Sequence, residues 1–116
     1  MIKLKRAYEE PSSEDGKRIL VERLWPRGLT KEKAKIDEWL KDVAPSPELR
    51  KWYAHDSSKW AKFKADYWKE LESKKDVVSA LRKESNREVV TFVLGSKEEK
   101  LNSAAALKEY IEKEID

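Results

Sequence analysis

The chain has 116 residues, 39% hydrophobic and 42% charged, which suits one core and is too short for two cores joined by a linker. It has no cysteine, so disulfides, thiolate catalysis and cysteine-ligated zinc or iron–sulfur centres are excluded together. The 26 basic and 23 acidic residues leave a net charge of only +3 and alternate along most of the chain, a pattern of solvated helix faces rather than of a basic stripe.

No apolar run approaches the ~20 residues a membrane span needs. The opening Met1-Ile2-Lys3-Leu4-Lys5-Arg6 lacks the apolar stretch of a signal peptide, so a cytoplasmic protein is expected. Abundant Lys and Glu, two Asn and no Gln or Cys match the composition of proteins from hot environments, and a thermophilic source is a further expectation.

Taken in chain order, the first predicted strand is Ile2 to Tyr8, followed by a polar turn over 9–16 with Pro11 and Asp15-Gly16, which could make the opening pair hairpin-like. A second strand is predicted over Arg18 to Leu24, where the run Ile19-Leu20-Val21 suits a strand covered on both faces and Trp25-Pro26-Arg27-Gly28 stops it. A helix is expected from about Thr30 to Lys41, capped by Thr30, with Ile36, Trp39, Leu40 and Val43 inward. Ser46-Pro47-Glu48 is a strong helix start, combining a capping hydroxyl, a proline at the first helical position and an acid at the positive dipole end; that helix should run to about Tyr53.

Asp56 and Ser57 can start the next helix, in which Trp60, Phe63, Tyr67 and Leu71 recur at spacings of three and four. Another helix is predicted over Lys74 to Lys83, and Glu88 to Leu94 is the clearest strand. The closing helix carries Ala104, Leu107, Ile111 and Ile115 on one face and starts either at Ser96, with Glu99 completing a capping box, or at Asn102. Helices between strands imply a parallel α/β architecture: a small, mainly parallel sheet of three to four strands, helices on both faces, one domain over 1–116. Ligands of such sheets bind beyond the carboxyl ends of the strands, where the 23–28 and 95–102 loops should converge.

Arg23 and Arg27 flank Leu24-Trp25-Pro26 next to a buried strand, where an unpaired guanidinium is costly and must find a carboxylate, carbonyls or a ligand. Internal pairing, for example with Asp42 or Glu22, is the alternative to anion binding. Gly28 permits positive φ or a close backbone approach. Ser46 and Arg50, at a helix start with free N–H groups, could extend the same pocket. His55 is the sole imidazole and Trp25 is placed to stack on a ligand or to clamp the loop; the five tryptophans are otherwise read as core. One histidine and no carboxylate cluster at ligand spacing make metal binding an unfavoured reading, and no phosphate-binding loop, dinucleotide fingerprint or nucleophile elbow is present.

The stretches Asp15-Gly16 to Val21, Arg23-Leu24-Trp25-Pro26-Arg27-Gly28, Trp39-Leu40-Lys41-Asp42, Ala44-Pro45-Ser46 and Glu48-Leu49-Arg50 resemble the YeaO-like family, domain of unknown function 488, over nearly the whole chain. The resemblance implies a compact bacterial and archaeal α/β domain with no agreed activity. It marks Arg23, Trp25, Pro26, Arg27, Gly28, Asp42, Pro45, Ser46, Leu49 and Arg50 as motif positions. Many relatives have histidine after the asparagine that opens the last helix, whereas Ser103 follows Asn102 here.

Together these readings point to an anionic small molecule or nucleotide, phosphate- or carboxylate-bearing, held by Arg23, Trp25, Arg27, Gly28, Asp42, Ser46, Arg50 and Asn102, with turnover left open. A nucleic-acid-binding module and a non-catalytic interaction or oligomerising domain are the alternatives; no cofactor is named.

Overall fold

The computed structural model describes residues 1–98 and 100–113. Strands β1 (Ile2–Arg6), β2 (Lys17–Leu20), β3 (Glu38–Trp39) and β4 (Val90–Leu94) form one sheet in the order β1-β4-β2-β3, every pair parallel. The expected parallel relation between the second and last major strands is present, with Ile19 opposite Phe92 and Leu20 opposite Val93. All five residues of β4 are buried, as a central strand covered on both faces requires.

Helices α2 (Pro47–Tyr53), α3 (Trp60–Leu71), α4 (Lys75–Arg87) and α5 (Ser103–Lys113) build the larger core with Ile19 and Phe92 from the sheet and Val21 just beyond β2. The predicted stripe on α3 is used as read: Phe63, Tyr67 and Leu71 are buried and Trp60 packs at the margin. Tyr53 of α2 stacks on Phe63 with ring centroids 4.2 Å apart. The opposite face of the sheet is covered by the single turn α1 (Lys31–Ala34) and its flanking loops, where Leu20, Val93 and Ala7 meet Trp25, Leu29, Ile36 and Trp39. Asn102 caps α5, its Oδ1 accepting from the Ala105 N–H at 2.8 Å, so the later of the two predicted starts is used. Glu99 and Ile115 lie outside the described residues.

Three expectations are corrected. The opening strands are not a hairpin-like pair: β4 lies between them, and the link from β1 returns to the amino end of the sheet before β2 begins. That return is fixed by the Asp15 carboxylate, which accepts from the Ser12 N–H at 3.0 Å and from Arg18 at 2.7 Å, while Thr91 of β4 donates to the Asp15 carbonyl at 2.7 Å. Gly16 follows with φ of 62°, and a Cβ there would stand 2.1 Å from the Val89 carbonyl oxygen, so only glycine fits.

Secondly, β2 ends at Leu20 rather than Leu24, because the chain turns through 22–24, where the Trp39 indole donates to the Glu22 carbonyl at 2.7 Å. Thirdly, the helix expected over 30–41 is one turn long. Lys35 takes a left-handed conformation, and the buried Arg18 guanidinium takes the Ala34 and Lys35 carbonyls. The Asp37 carboxylate accepts the Arg18 N–H at 2.8 Å, which draws the chain along β2 to form β3. Ile36 and Trp39 therefore face one core, and Leu40 and Val43 the other.

Candidate functional site

A cleft of about 390 Å³ opens at the carboxyl edge of the sheet. Three of the four strands supply part of its wall at their carboxyl ends: Tyr8 after β1, Glu22 and residues 24–27 after β2, and Leu94, Gly95 and Ser96 at the end of β4. Arg50 and Tyr53 of α2, His55 just beyond it, Phe63 of α3, and Asn102 and Ser103 at the start of α5 complete it. The location follows from the fold, because loops at the carboxyl ends of parallel strands diverge around the point where the strand order reverses.

Of the residues expected in a ligand site, Trp25, Arg27, Arg50 and Asn102 line this cleft. Arg23, Gly28, Asp42 and Ser46 do not, and the structure gives each another position. The Arg23 guanidinium donates to the Ala44 carbonyl at 3.2 Å and to the Pro45 carbonyl at 3.4 Å, tying the loop after β2 to the approach of α2. Carbonyls, not Asp42 or Glu22, are thus its recorded hydrogen-bond partners. The start of α2 does receive an anion, but the anion is internal: Ser46 donates through its N–H and its hydroxyl to the Glu70 carboxylate at 2.9 and 2.7 Å. Asp42 is exposed and its carbonyl receives Lys74. Gly28 has the positive φ anticipated, at 82°, but a Cβ there would meet open space, so no close approach is involved.

Within the cleft, most neutral and acidic groups serve the fold. A Glu22 carboxylate oxygen accepts the Gly95 N–H at 2.5 Å, the Tyr53 hydroxyl donates to the Leu101 carbonyl at 2.8 Å, and Asn102, besides capping α5, donates to the Glu98 carbonyl at 2.7 Å. Tyr8 donates its hydroxyl to the Arg27 carbonyl at 2.8 Å, and the Trp25 indole donates to the Leu29 carbonyl at 2.6 Å. Trp25 also meets Trp39 edge to face, which makes it a loop clamp as well as a wall. By contrast, the exposed side chains of Arg27 and Arg50 form no hydrogen bond or ion pair among the described residues.

His55 is exposed, with φ of 60°, and its ring lies tilted 6.4 Å from that of Tyr53. The Glu98 carboxyl is held below the usual carboxylate range by the backbone N–H groups of Lys100 and Leu101 and, secondarily, by His55. Burial, with the Glu98 and Asp56 charges, pushes the Tyr53 hydroxyl up, so it stays a neutral donor at physiological pH.

Tyr8, Glu22, Tyr53 and Phe63 are cleft residues not expected there from the sequence. The signal for Tyr8 was present: the rule that picked out the end of β2 applies equally to the end of β1. His55 and Ser103, weighed singly from sequence, both line the cleft.

The fold and the site define a class: a small all-parallel α/β domain with a basic cleft at the carboxyl edge of its sheet. The chain belongs to the DUF488-N3i family, the "Inactive DUF488-N3 subclade", whose model matches residues 1–116. It is similar to "Uncharacterized protein Rv3073c" of Mycobacterium tuberculosis, 37% identical with 95% of this chain and 92% of the relative covered. It is also similar to "Uncharacterized protein YeaO" of Escherichia coli, 34% identical with 95% and 96% covered, in keeping with the YeaO-like motifs. No solved structure matches. No helix among the described residues is long and apolar enough to cross a membrane.

Proposed function

We propose that this chain is a binding domain for an anionic small molecule, phosphate- or carboxylate-bearing, held in the carboxyl-edge cleft by Arg27 and Arg50 with His55 beside them. One observation carries the reading. Among the described residues, the cleft's carboxylate, carboxamide, Ser96 hydroxyl and tyrosine hydroxyls each have a hydrogen-bond partner within the fold, and the polar lining side chains that have none are two guanidiniums, one imidazole and the Ser103 hydroxyl. Guanidiniums present paired N–H donors that match carboxylate and phosphate oxygens, and hydrogen bonds to an ionised acceptor are the strong ones.

Binding without turnover is the form of this reading that the residues favour. The family to which the chain belongs is named as an inactive subclade. General acid–base work needs an imidazole oriented by a second group, and His55 has no hydrogen-bonded carboxylate among the described residues. Ser103 lines the cleft at the position where many YeaO-like relatives have histidine.

The test is a thermal-shift titration with phosphate, sulfate and simple carboxylates on the wild type and on Arg27→Ala and Arg50→Ala. An anion at a hundred times its Kd stabilises the folded state by about 2.7 kcal/mol. A shift in the wild type that falls in both variants supports the reading; shifts of equal size in all three proteins reject it.

A further inference from the structure

The same cleft has an apolar half that a bare anion leaves unused. At about 390 Å³ it has room for many times the roughly 30 Å³ of one water molecule, and an oxyanion gripped by two arginines fills a small part of it. The apolar part of the lining includes Tyr8, Leu24, Trp25 and Pro26. Among the described residues only four large hydrophobics are well exposed, and two of them, Tyr8 at 51% and Leu24 at 66%, are in this wall.

Tyr8 is the informative one. Its hydroxyl is tied to the Arg27 carbonyl, so the ring is held beside the residue that offers the guanidinium, and no aromatic neighbour stacks on it among the described residues. An aromatic ring fixed at one edge, half-exposed and without an aromatic partner can serve as a stacking platform whose ordering cost is already met by folding. The two guanidiniums come from separate elements, the loop after β2 and helix α2, so they can approach one multi-oxygen group from two sides. Two cationic forks suit a dianion better than a monoanion, and the Glu22 carboxylate in the same cleft, bound to the Gly95 N–H, leaves the balance basic.

Resting on the anion-binding reading above, we infer that the ligand is a nucleoside monophosphate, its base laid on Tyr8 against Leu24 and its phosphate between Arg27 and Arg50. The base contributes contact area and stacking, which tolerate different bases because every base has a π-face. The phosphate contributes charge, and the ribose spans the gap between them. Little discrimination among bases is expected.

The experiment is isothermal titration at low salt with adenosine and uridine monophosphates, ribose 5-phosphate, inorganic phosphate and adenosine, on wild type, Tyr8→Ala, Tyr8→Phe and Arg27→Ala. The wild type should bind both mononucleotides about tenfold or more tighter than ribose 5-phosphate, the scale of one base stacked on an aromatic ring. Tyr8→Ala should lose most of that preference, Tyr8→Phe should keep it, and Arg27→Ala should weaken every phosphate-bearing ligand. Equal binding of mononucleotide and ribose 5-phosphate by the wild type overturns the nucleotide assignment and leaves the anion site standing. Failure of every phosphate-bearing ligand to bind removes the nucleotide assignment together with the phosphate form of the anion site. The wild-type comparison decides the matter even if a Tyr8 variant folds poorly.

Discussion

Arg18 and Arg27 stand at opposite ends of the same stretch of chain and meet opposite fates. At the amino side, Arg18 is 3% exposed and its donors are distributed over the Asp15 carboxylate and the Ala34 and Lys35 carbonyls. Lys5 adds a second cation to the same carboxylate. At the carboxyl side, Arg27 is exposed, its carbonyl is used by Tyr8, and its guanidinium is unengaged among the described residues. The difference teaches what separates a structural arginine from one available to a ligand. Acceptors converge on Arg18 from two segments, the turn at Asp15 and the end of α1, whereas the segments around Arg27 spread apart at the strand ends and turn their acceptors to each other.

The largest break in that contrast is Arg18→Ala, which leaves the Asp15 carboxylate without its closest partner in a buried site and strips two carbonyls of their donor. A loss of about 3–5 kcal/mol is expected in urea unfolding. Next comes Tyr67→Phe, between the two ends: Tyr67 is fully buried, its hydroxyl donates to the Val43 carbonyl at 2.6 Å, and burial pushes that hydroxyl's pKa up. Leaving the carbonyl unpaired should cost about 1–3 kcal/mol by the same measurement.

The amino end can also be sharpened by acid. Burial opposes the Asp15 charge, but the Ser12 N–H, Lys5 and Arg18 outweigh it and hold the carboxyl below its ordinary value of 3.8. A carboxyl lowered on folding contributes stability that is complete above the ordinary value and is lost as the pH falls through the lowered one. Stability measured from pH 6 down to 2 should therefore show an acid loss that is smaller in Asp15→Asn. The smallest effect on folding belongs to the open end: Arg27→Ala should stay within about 0.5 kcal/mol of the wild type, as expected for an exposed side chain without partners. A destabilisation near that of Arg18→Ala would erase the distinction.

Local signals were legible wherever neighbours within one turn decide the outcome. The Ser46-Pro47 start and the end of α2 at Tyr53, the inward stripe of α3 and the buried run of β4 all follow from spacing and caps. The position of the cleft was legible too, since parallel strands place their loops together at one edge. The roles of individual polar residues were not. Nothing near Arg23 announces that Ala44 and Pro45 supply its acceptors, and nothing near Ser46 announces that Glu70, a full helix away, occupies that helix start.

The two-residue strand β3 makes the same point for the backbone. Ile36 and Trp39 carry helical spacing, but Arg18 and Asp37 together straighten the chain against β2. The sequence by itself determined a parallel α/β domain, its principal helices, its central strand and the edge where the cleft opens, because periodicity and capping act over a few residues. Only the tertiary structure decided which arginines are spent inside and which remain available, because a charge is neutralised by whatever the fold carries to within about 3 Å of it, regardless of separation along the chain.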